Sequence, residues 1–505
     1  MRRVQSTPGN LPLFCTAGTR AIEARATAAL PAHTLMERAG TAVARLAIAL
    51  APHSRRIWIA AGPGNNGGDG LEAALCLRQD GRQAGVMLLG DPARLPEDAK
   101  AALARAQAGG VAIGSTAEGL GPHDLAIDAL LGIGGSRAPE GALGEAVRQL
   151  NALACPVLAI DVPSGLDTDT GQPFGAACVT AQHTLALLTA KPGLFTAAGR
   201  DHAGIVWLDR LGIDADADSA DAWLVGTGSS DLPAHSRPFA AHKGRFGDVT
   251  VVGGAAGMTG AALLAARAAH AAGAGKVYVC LVGASAATPD HDPVRPELMF
   301  RPSWCEAPPD VLAAATVVCG CGGGDAVRQV LPRLLSLVRK LVLDADALNA
   351  IGADPGLQAA VRARAGRGLQ TILTPHPLEA ARLLACTTAE IQADRLRAAR
   401  ALAERFAATA VLKGSGSVIA APGRIPAINA TGNASLATAG SGDVLAGWLG
   451  GLWAQQPGAP GSADGFEVAV QAVAEHGAAA EPQRPGALRA GDLVEALHRR
   501  LRRGR

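Results

Sequence analysis

Asn433 to Gly447, NASLATAGSGDVLAG, reads as a loop that turns into a helix. Small residues lead to Gly440-Ser441-Gly442-Asp443, and the apolar run Val444-Leu445-Ala446-Gly447-Trp448-Leu449 follows. Two glycines let the backbone turn without a Cβ clash, so successive N–H groups can aim at one point. The positive end of the following helix aims there too, which favours phosphate or a developing negative charge. Asp443 then stands where a general base would meet a hydroxyl approaching that phosphate. The plainer alternative makes Ser441 or Asp443 a helix cap and nothing more. The neighbouring segments decide between the two.

Upstream, Val249 to Val252 is expected as a strand, Gly253-Gly254 as a tight turn, Gly260 to Ala272 as an alanine-rich helix and Lys276 to Val282 as the next strand, a βαβ order. Thr316 to Gly324 (TVVCGCGGG) is a strand running into glycines, and Leu341 to Leu348 (LVLDADAL) one ending in Asp344 and Asp346. Thr371 to Glu379 (TILTPHPLE) presents His376 on a rigid turn. Val411 to Ile419 (VLKGSGSVI) resembles a hairpin whose Lys413 and small residues could wrap a phosphate or an adenosine. Singly, each has an ordinary reading: a hydrogen-bonded turn histidine, a solvated hairpin tip, capping aspartates.

The first half alternates helices (Ala21 to Leu30, Thr34 to Leu50) with short apolar strands (Arg56 to Ala61, Val86 to Leu89, Leu125 to Leu131, Pro156 to Val162). Three strand ends carry polar chemistry: Asn65-Asn66-Gly67-Gly68-Asp69 before a helix, Asp128 with Gly132 to Arg137, and Asp161-Val162-Pro163-Ser164. In a parallel sheet these loops share one edge, so their oxygens can converge. Asn66, Asp128 and Ser164 offer hard ligands for a monovalent or divalent cation, and Asp161 could serve as acid or base. Lys191, in TAKPG, reads as a surface lysine or an electrostatic helper.

The 505 residues are enough for two or three domains, and 49% hydrophobic against 18% charged supplies a large core. A net charge of +2 gives no reason to expect nucleic acid or an anionic membrane as partner. The nine cysteines are scattered, with no CxxC pair, which suggests reduced, buried thiols in a cytoplasm. MRRVQSTPGNLPLF lacks the apolar core of a signal peptide. No apolar run is long enough to span a bilayer. The small, acidic stretch from Ile213 to before Arg237 is expected as a linker.

GPGNNGGDG, DALLGIG and DVPSGLDTDTG resemble the signature of the NAD(P)H-hydrate epimerase domain of the bifunctional nicotinamide-nucleotide repair enzymes, over residues 10–215. The resemblance implies that Asn65, Asn66, Gly67, Gly68 and Asp69, with Gly132, Ile133, Gly134, Gly135, Ser136, Arg137 and Ala138, hold the hydrated dinucleotide (NADHX or NADPHX). It implies that Asp161 acts on the damaged ring and that Asn66, Asp128 and Ser164 hold potassium (K+). Over residues 222–502, the glycine turn, GCGGG, DADAL, TPHP, KGSGS and GSGD resemble the dehydratase half of the same enzymes. There Ala261, Gly322 or Gly324, His376 and Asp443 would face the hydrate. Lys413, Gly414, Ser415, Gly416, Ser417 and Gly442 would hold ADP or ATP with Mg2+, and Asp443 would be the base. Where the family has proline in GPGLG, this chain has Cys321.

The implied fold is two-domain α/β, a Rossmann-like three-layer αβα unit and then a ribokinase-like one, in an enzyme expected to be cytoplasmic and to form a homo-oligomer. The rival reading is a ribokinase-like small-molecule kinase fused to a non-catalytic nucleotide-binding module. Its product would be a stable phosphate ester.

Overall fold

The computed structural model describes residues 1–4, 9–228, 239–283, 290–456, 465–481 and 487–502. The chain forms two compact units, the first holding Leu11–Leu224 and the second Val225–Arg505. Both are α/β.

In the first unit eight strands lie in the order Arg2–Arg3, Ile205–Asp209, His183–Leu187, Val157–Ile160, Leu125–Ala129, Arg56–Ala61, Gln83–Leu88, Ala112–Ile113. All pair in parallel except the antiparallel edge strand Arg2–Arg3. Arg56–Ala61 is buried at every residue after the first, as a strand covered on both faces should be. The chain runs from Arg56–Ala61 to one neighbour and returns on the other side as Leu125–Ala129, so the strand order reverses between them. Such a switch point opens a crevice at the carboxyl ends of the strands.

The glycine-rich Asn65–Asp69 segment belongs to the helix Asn65–Gln79 itself rather than to a loop before it. Gly67 is needed there, because a Cβ on it would lie 2.0 Å from the Gly62 carbonyl oxygen. The expected linker also needs correction. Ala222–Val225 is a strand, and its apolar Ala222, Trp223 and Leu224 pair antiparallel with Leu13, Pro12 and Leu11. Residues 229–236 of that stretch lie outside the described residues.

The second unit carries Met299–Phe300, Lys276–Leu281, Asp248–Gly253, Thr316–Cys319, Lys340–Leu343, Gln370–Leu373, Thr409–Leu412, Val418–Ala420 and Ala427–Asn429 in that sheet order. Pairing is parallel as far as Thr409–Leu412 and antiparallel beyond it, so KGSGS is a hairpin connection, as expected. Helix Ser441–Ala454 packs against the alanine-rich helix Thr259–Ala271. Their backbones approach so closely that a Cβ on Gly447 would lie 1.9 Å from the Ala265 carbonyl oxygen. Small residues in both helices fix the position of the one that begins at Ser441.

Candidate active sites

In the second unit Gly440 takes the left-handed conformation (φ 88°) and Ser441 opens the helix, with Asp443 in its first turn. The Ser441 hydroxyl lies 2.8 Å from the Leu436 carbonyl oxygen and 3.0 Å from that of Thr438, so it shapes the turn. The sulfur of Cys321 and carboxylate oxygens of Asp344 and Asp443 lie within 4.8 Å of one another. Burial, then the charge of Asp344, pushes the Asp443 carboxyl up to about 6, while the Cys321 thiol and Lys413 favour its ionised form. A carboxyl in that range can both hold and release a proton near neutrality.

Lys413 is no solvated hairpin tip. Its Nζ donates to Asp344 Oδ1 at 2.6 Å and stands 3.9 Å from Glu379 Oε2. Burial works against the ammonium, but Asp344 and Glu379 outweigh it and raise its affinity for the proton. A Cβ on Gly442 would lie 3.3 Å from Nζ, which places the cation beside the glycine turn. Arg395, itself buried, donates from Nη2 to the carbonyls of Leu412 and Lys413 at 3.2 and 3.1 Å and anchors the start of KGSGS. Gly414 (φ 138°) and Gly416 (φ 59°) shape the loop, and Ser417 Oγ donates to the Gly414 carbonyl at 3.2 Å.

His376 caps the helix Pro377–Leu384, its Nδ1 accepting from the N–H groups of Leu378 and Glu379 at 3.1 and 3.4 Å. The Glu379 carboxylate accepts from the His376 N–H at 2.8 Å. The hydrogen-bonded turn histidine is therefore what the backbone shows, with the ring 47% exposed. Burial, then Lys413, lowers its pKa and favours the neutral ring. Ala261 lies against Gly322, where an added Cβ would come 2.9 Å from its methyl. The Gly324 N–H donates to Asp346 Oδ2 at 2.8 Å, so Asp346 holds the GCGGG loop rather than merely starting a helix.

In the first unit a cavity of about 460 Å³ opens at the switch point. Asn65, Asn66, Asp69, Gly132, Ile133, Gly134, Gly135 and Asp161 line it; Gly67, Gly68, Ser136, Arg137 and Ala138 do not. Asp161 sits at φ 69°, a conformation few side chains adopt, held by its N–H to the Leu185 carbonyl at 2.8 Å. Its Oδ1 also accepts from the Leu187 N–H at 3.1 Å. The surface reading of Lys191 fails: it is fully buried, and its Nζ pairs with Asp161 and donates to the Leu187 carbonyl at 2.7 Å. The apolar Leu185–Leu188 run beside TAKPG was the available signal.

Glu23 and Asp69 face the same cavity. Burial, then Asp161, raises the pKa of both, that of Asp69 well above the usual carboxylate range. Glu23 lies on a helix with no motif around it, and sequence reasoning missed it.

Asp128 is wholly buried at the end of its strand. Ser164 donates to it twice, from Oγ at 2.6 Å and from N at 2.8 Å, and Leu130 N–H donates at 3.2 Å. Burial still pushes its carboxyl up to about 6. Asn66 Nδ2 is buried without a hydrogen-bond partner, and its Oδ1 would lie 3.2 Å from a Cβ on Gly132. The Asp128 carboxylate, which has no cationic side chain acting on it, and the oxygens Asn66 Oδ1 and Ser164 Oγ make a set of hard oxygen ligands that fits a cation; the unpartnered Asn66 Nδ2 could not ligate one.

The family model described as YjeF-related protein N-terminus matches residues 32–193, and that of the NAD(P)H-hydrate dehydratase matches residues 249–499. The bifunctional NAD(P)H-hydrate repair enzyme of Escherichia coli is 35% identical over 469 residues, covering 90% of this chain and 85% of that protein. That of Vibrio cholerae is 37% identical over 443 residues, covering 84% of each. Among solved structures, an ADP/ATP-dependent NAD(P)H-hydrate dehydratase from Bacillus subtilis, co-crystallised with ATP/Mg2+, is 30% identical. It aligns with 52% of this chain and 92% of its own, at a TM-score of 0.43.

Proposed function

This chain belongs to the bifunctional NAD(P)H-hydrate repair enzymes, and on that premise we propose how its two units divide the work. The first interconverts the R and S hydrates of NADH and NADPH. The second dehydrates the S form to NAD(P)H at the expense of ADP or ATP, releasing phosphate. Family membership favours this reading over a small-molecule kinase.

In the second unit Asp443 takes the proton of the ring hydroxyl as that oxygen attacks the terminal phosphoryl group. The N–H groups of the Gly440-Ser441-Gly442 turn and the Lys413 ammonium meet the developing charge. A magnesium ion bound with the nucleotide would offset phosphate charge; Asp344 and Asp346, whose charges both act on Asp443, are the hard oxygen donors at hand. Phosphate leaves far more readily than hydroxide, so the dihydronicotinamide ring is restored. The observation that carries this reading is Asp443 in the first turn of a helix whose glycine entry lies beside Lys413.

In the first unit Asp161 serves as the acid/base for the hydroxyl on the carbon that inverts, by loss and return of that oxygen or by ring opening, with buried Lys191 as its countercharge. Glu23 and Asp69, both biased toward the protonated form, are the candidate acids across the cavity. Asn66, Asp128 and Ser164 would hold potassium, which supplies the positive charge that Asp128 lacks. The nine free thiols fit a cytoplasmic enzyme, and a homo-oligomer remains our expectation. The test is to incubate the pure protein with both hydrate epimers, with and without ADP or ATP. NADH absorbance and free phosphate must rise together; a stable phosphate ester would overturn the assignment.

A further inference from the structure

Cys280, on the strand Lys276–Leu281, and Cys305, in the short turn Trp304–Glu306, bring their sulfurs to 3.6 Å inside the second unit. They are 25 residues apart, and neither belongs to the constellation around Asp443. Both are buried, at 2% and 7% exposure; Cys321 lies among carboxylates, and Cys319 is wholly buried on a more central strand. We infer that Cys280 and Cys305 form a reversible disulfide under peroxide, making the pair a thiol-oxidation site in the dehydratase unit.

The geometry favours this pair for three reasons. The sulfurs are already in van der Waals contact, so a bond needs only a further approach of about 1.5 Å to the 2.05 Å of a disulfide. Cys280 lies on a strand paired on both sides, whereas Cys305 lies on a connecting turn, so movement can come from one side alone. The thiols also support one another: the hydrogen bond with Cys305 pulls the Cys280 thiol down to about 7, while Cys305 is pushed up. Cys280, whose Sγ also donates to the Pro302 carbonyl at 3.2 Å, is the thiol more readily ionised, and Cys305 is the resolving thiol.

The balance is simple. The Cys280 thiol reduces hydrogen peroxide to water and becomes a sulfenic acid. Cys305 then attacks that sulfur, forms the S–S bond and expels a second water. The strand that carries Cys280 also lies beside the Gly253-Gly254 turn. Val282 N–H donates to the Gly253 carbonyl at 2.9 Å, and a Cβ on Gly254 would lie 2.6 Å from the Leu281 side chain.

The test uses the full chain. It is treated with a small molar excess of hydrogen peroxide, then unfolded, alkylated and weighed. The expected product has lost the mass of two hydrogen atoms, alkylates at seven of nine cysteines, and yields one linked peptide joining 280 to 305. Dithiothreitol restores all nine sites, and Cys305→Ser forms no linked peptide. Nine alkylated thiols after peroxide, a link through Cys319, or sulfinic acid without a disulfide would each overturn the inference.

Discussion

Replacing Lys413 by methionine removes the cation beside the Gly440–Gly442 turn and keeps the apolar stem. In the intact protein the Asp443 carboxyl is pushed up to about 6, and Lys413 is one of the groups that hold it from rising further. With that value the ionised base is about tenfold in excess at pH 7 and about tenfold scarce at pH 5. An opposite charge in close range typically shifts a carboxylate by about 1 to 3 units. At the low end, Lys413→Met moves the acid limb of the rate profile from near pH 6 to near 7, which halves the ionised fraction at neutrality. Loss of the phosphate contact lowers the rate further at every pH, so only the limb position reports on the base. Glu379, pushed up to about 7 by burial, must be separated from Asp443. The same series in Glu379→Gln should leave a limb near pH 6. The assay is NADH formation from the S hydrate under saturating ADP between pH 5 and 8.5, read as kcat/KM. An unmoved limb in Lys413→Met, or a flat profile in the unmodified protein, would refute the coupling.

Asp161→Asn should stop interconversion of the hydrate epimers, followed by chromatography, while dehydration of the S form continues. Lys191→Ala strands the Asp161 carboxylate and should cost about 3 to 5 kcal/mol in a denaturant titration, together with epimerase activity. Potassium should raise the thermal midpoint at pH 7 to 8 and lose that effect as pH falls through about 6, because the cation competes with the proton that Asp128 takes up there. Choline chloride at equal ionic strength is the control. Gly447→Ala drives a methyl into the Ala265 carbonyl and should destabilise the protein by at least about 1 to 3 kcal/mol, read by the same titration.

Strands and their polar ends were legible because apolar runs stop abruptly at Gly, Asp or Pro, as at Gly62, Asp161 and Gly253. GSGD was legible as a loop entering a helix for the same reason. The glycine run at residues 67–70 misled, because glycine signals a loop by propensity, yet here it allows a helix to approach the Gly62 turn. Trp223-Leu224-Val225 hid inside an acidic stretch, since a four-residue strand is shorter than a composition window can resolve. The pairing of Lys191 with Asp161 and of Lys413 with Asp344 spans 30 and 69 residues, and only the folded sheet brings such partners together. Glu23 shows the limit most plainly, because its role depends wholly on which face of its helix meets the cavity.

The most direct test of the account compares Asp443→Asn with the unmodified protein for ADP binding by calorimetry and for phosphate release from the S hydrate. Nucleotide affinity should be nearly unchanged and turnover lower by at least about 10²-fold, with phosphate and NADH falling together. Near-normal turnover in that variant would contradict the account.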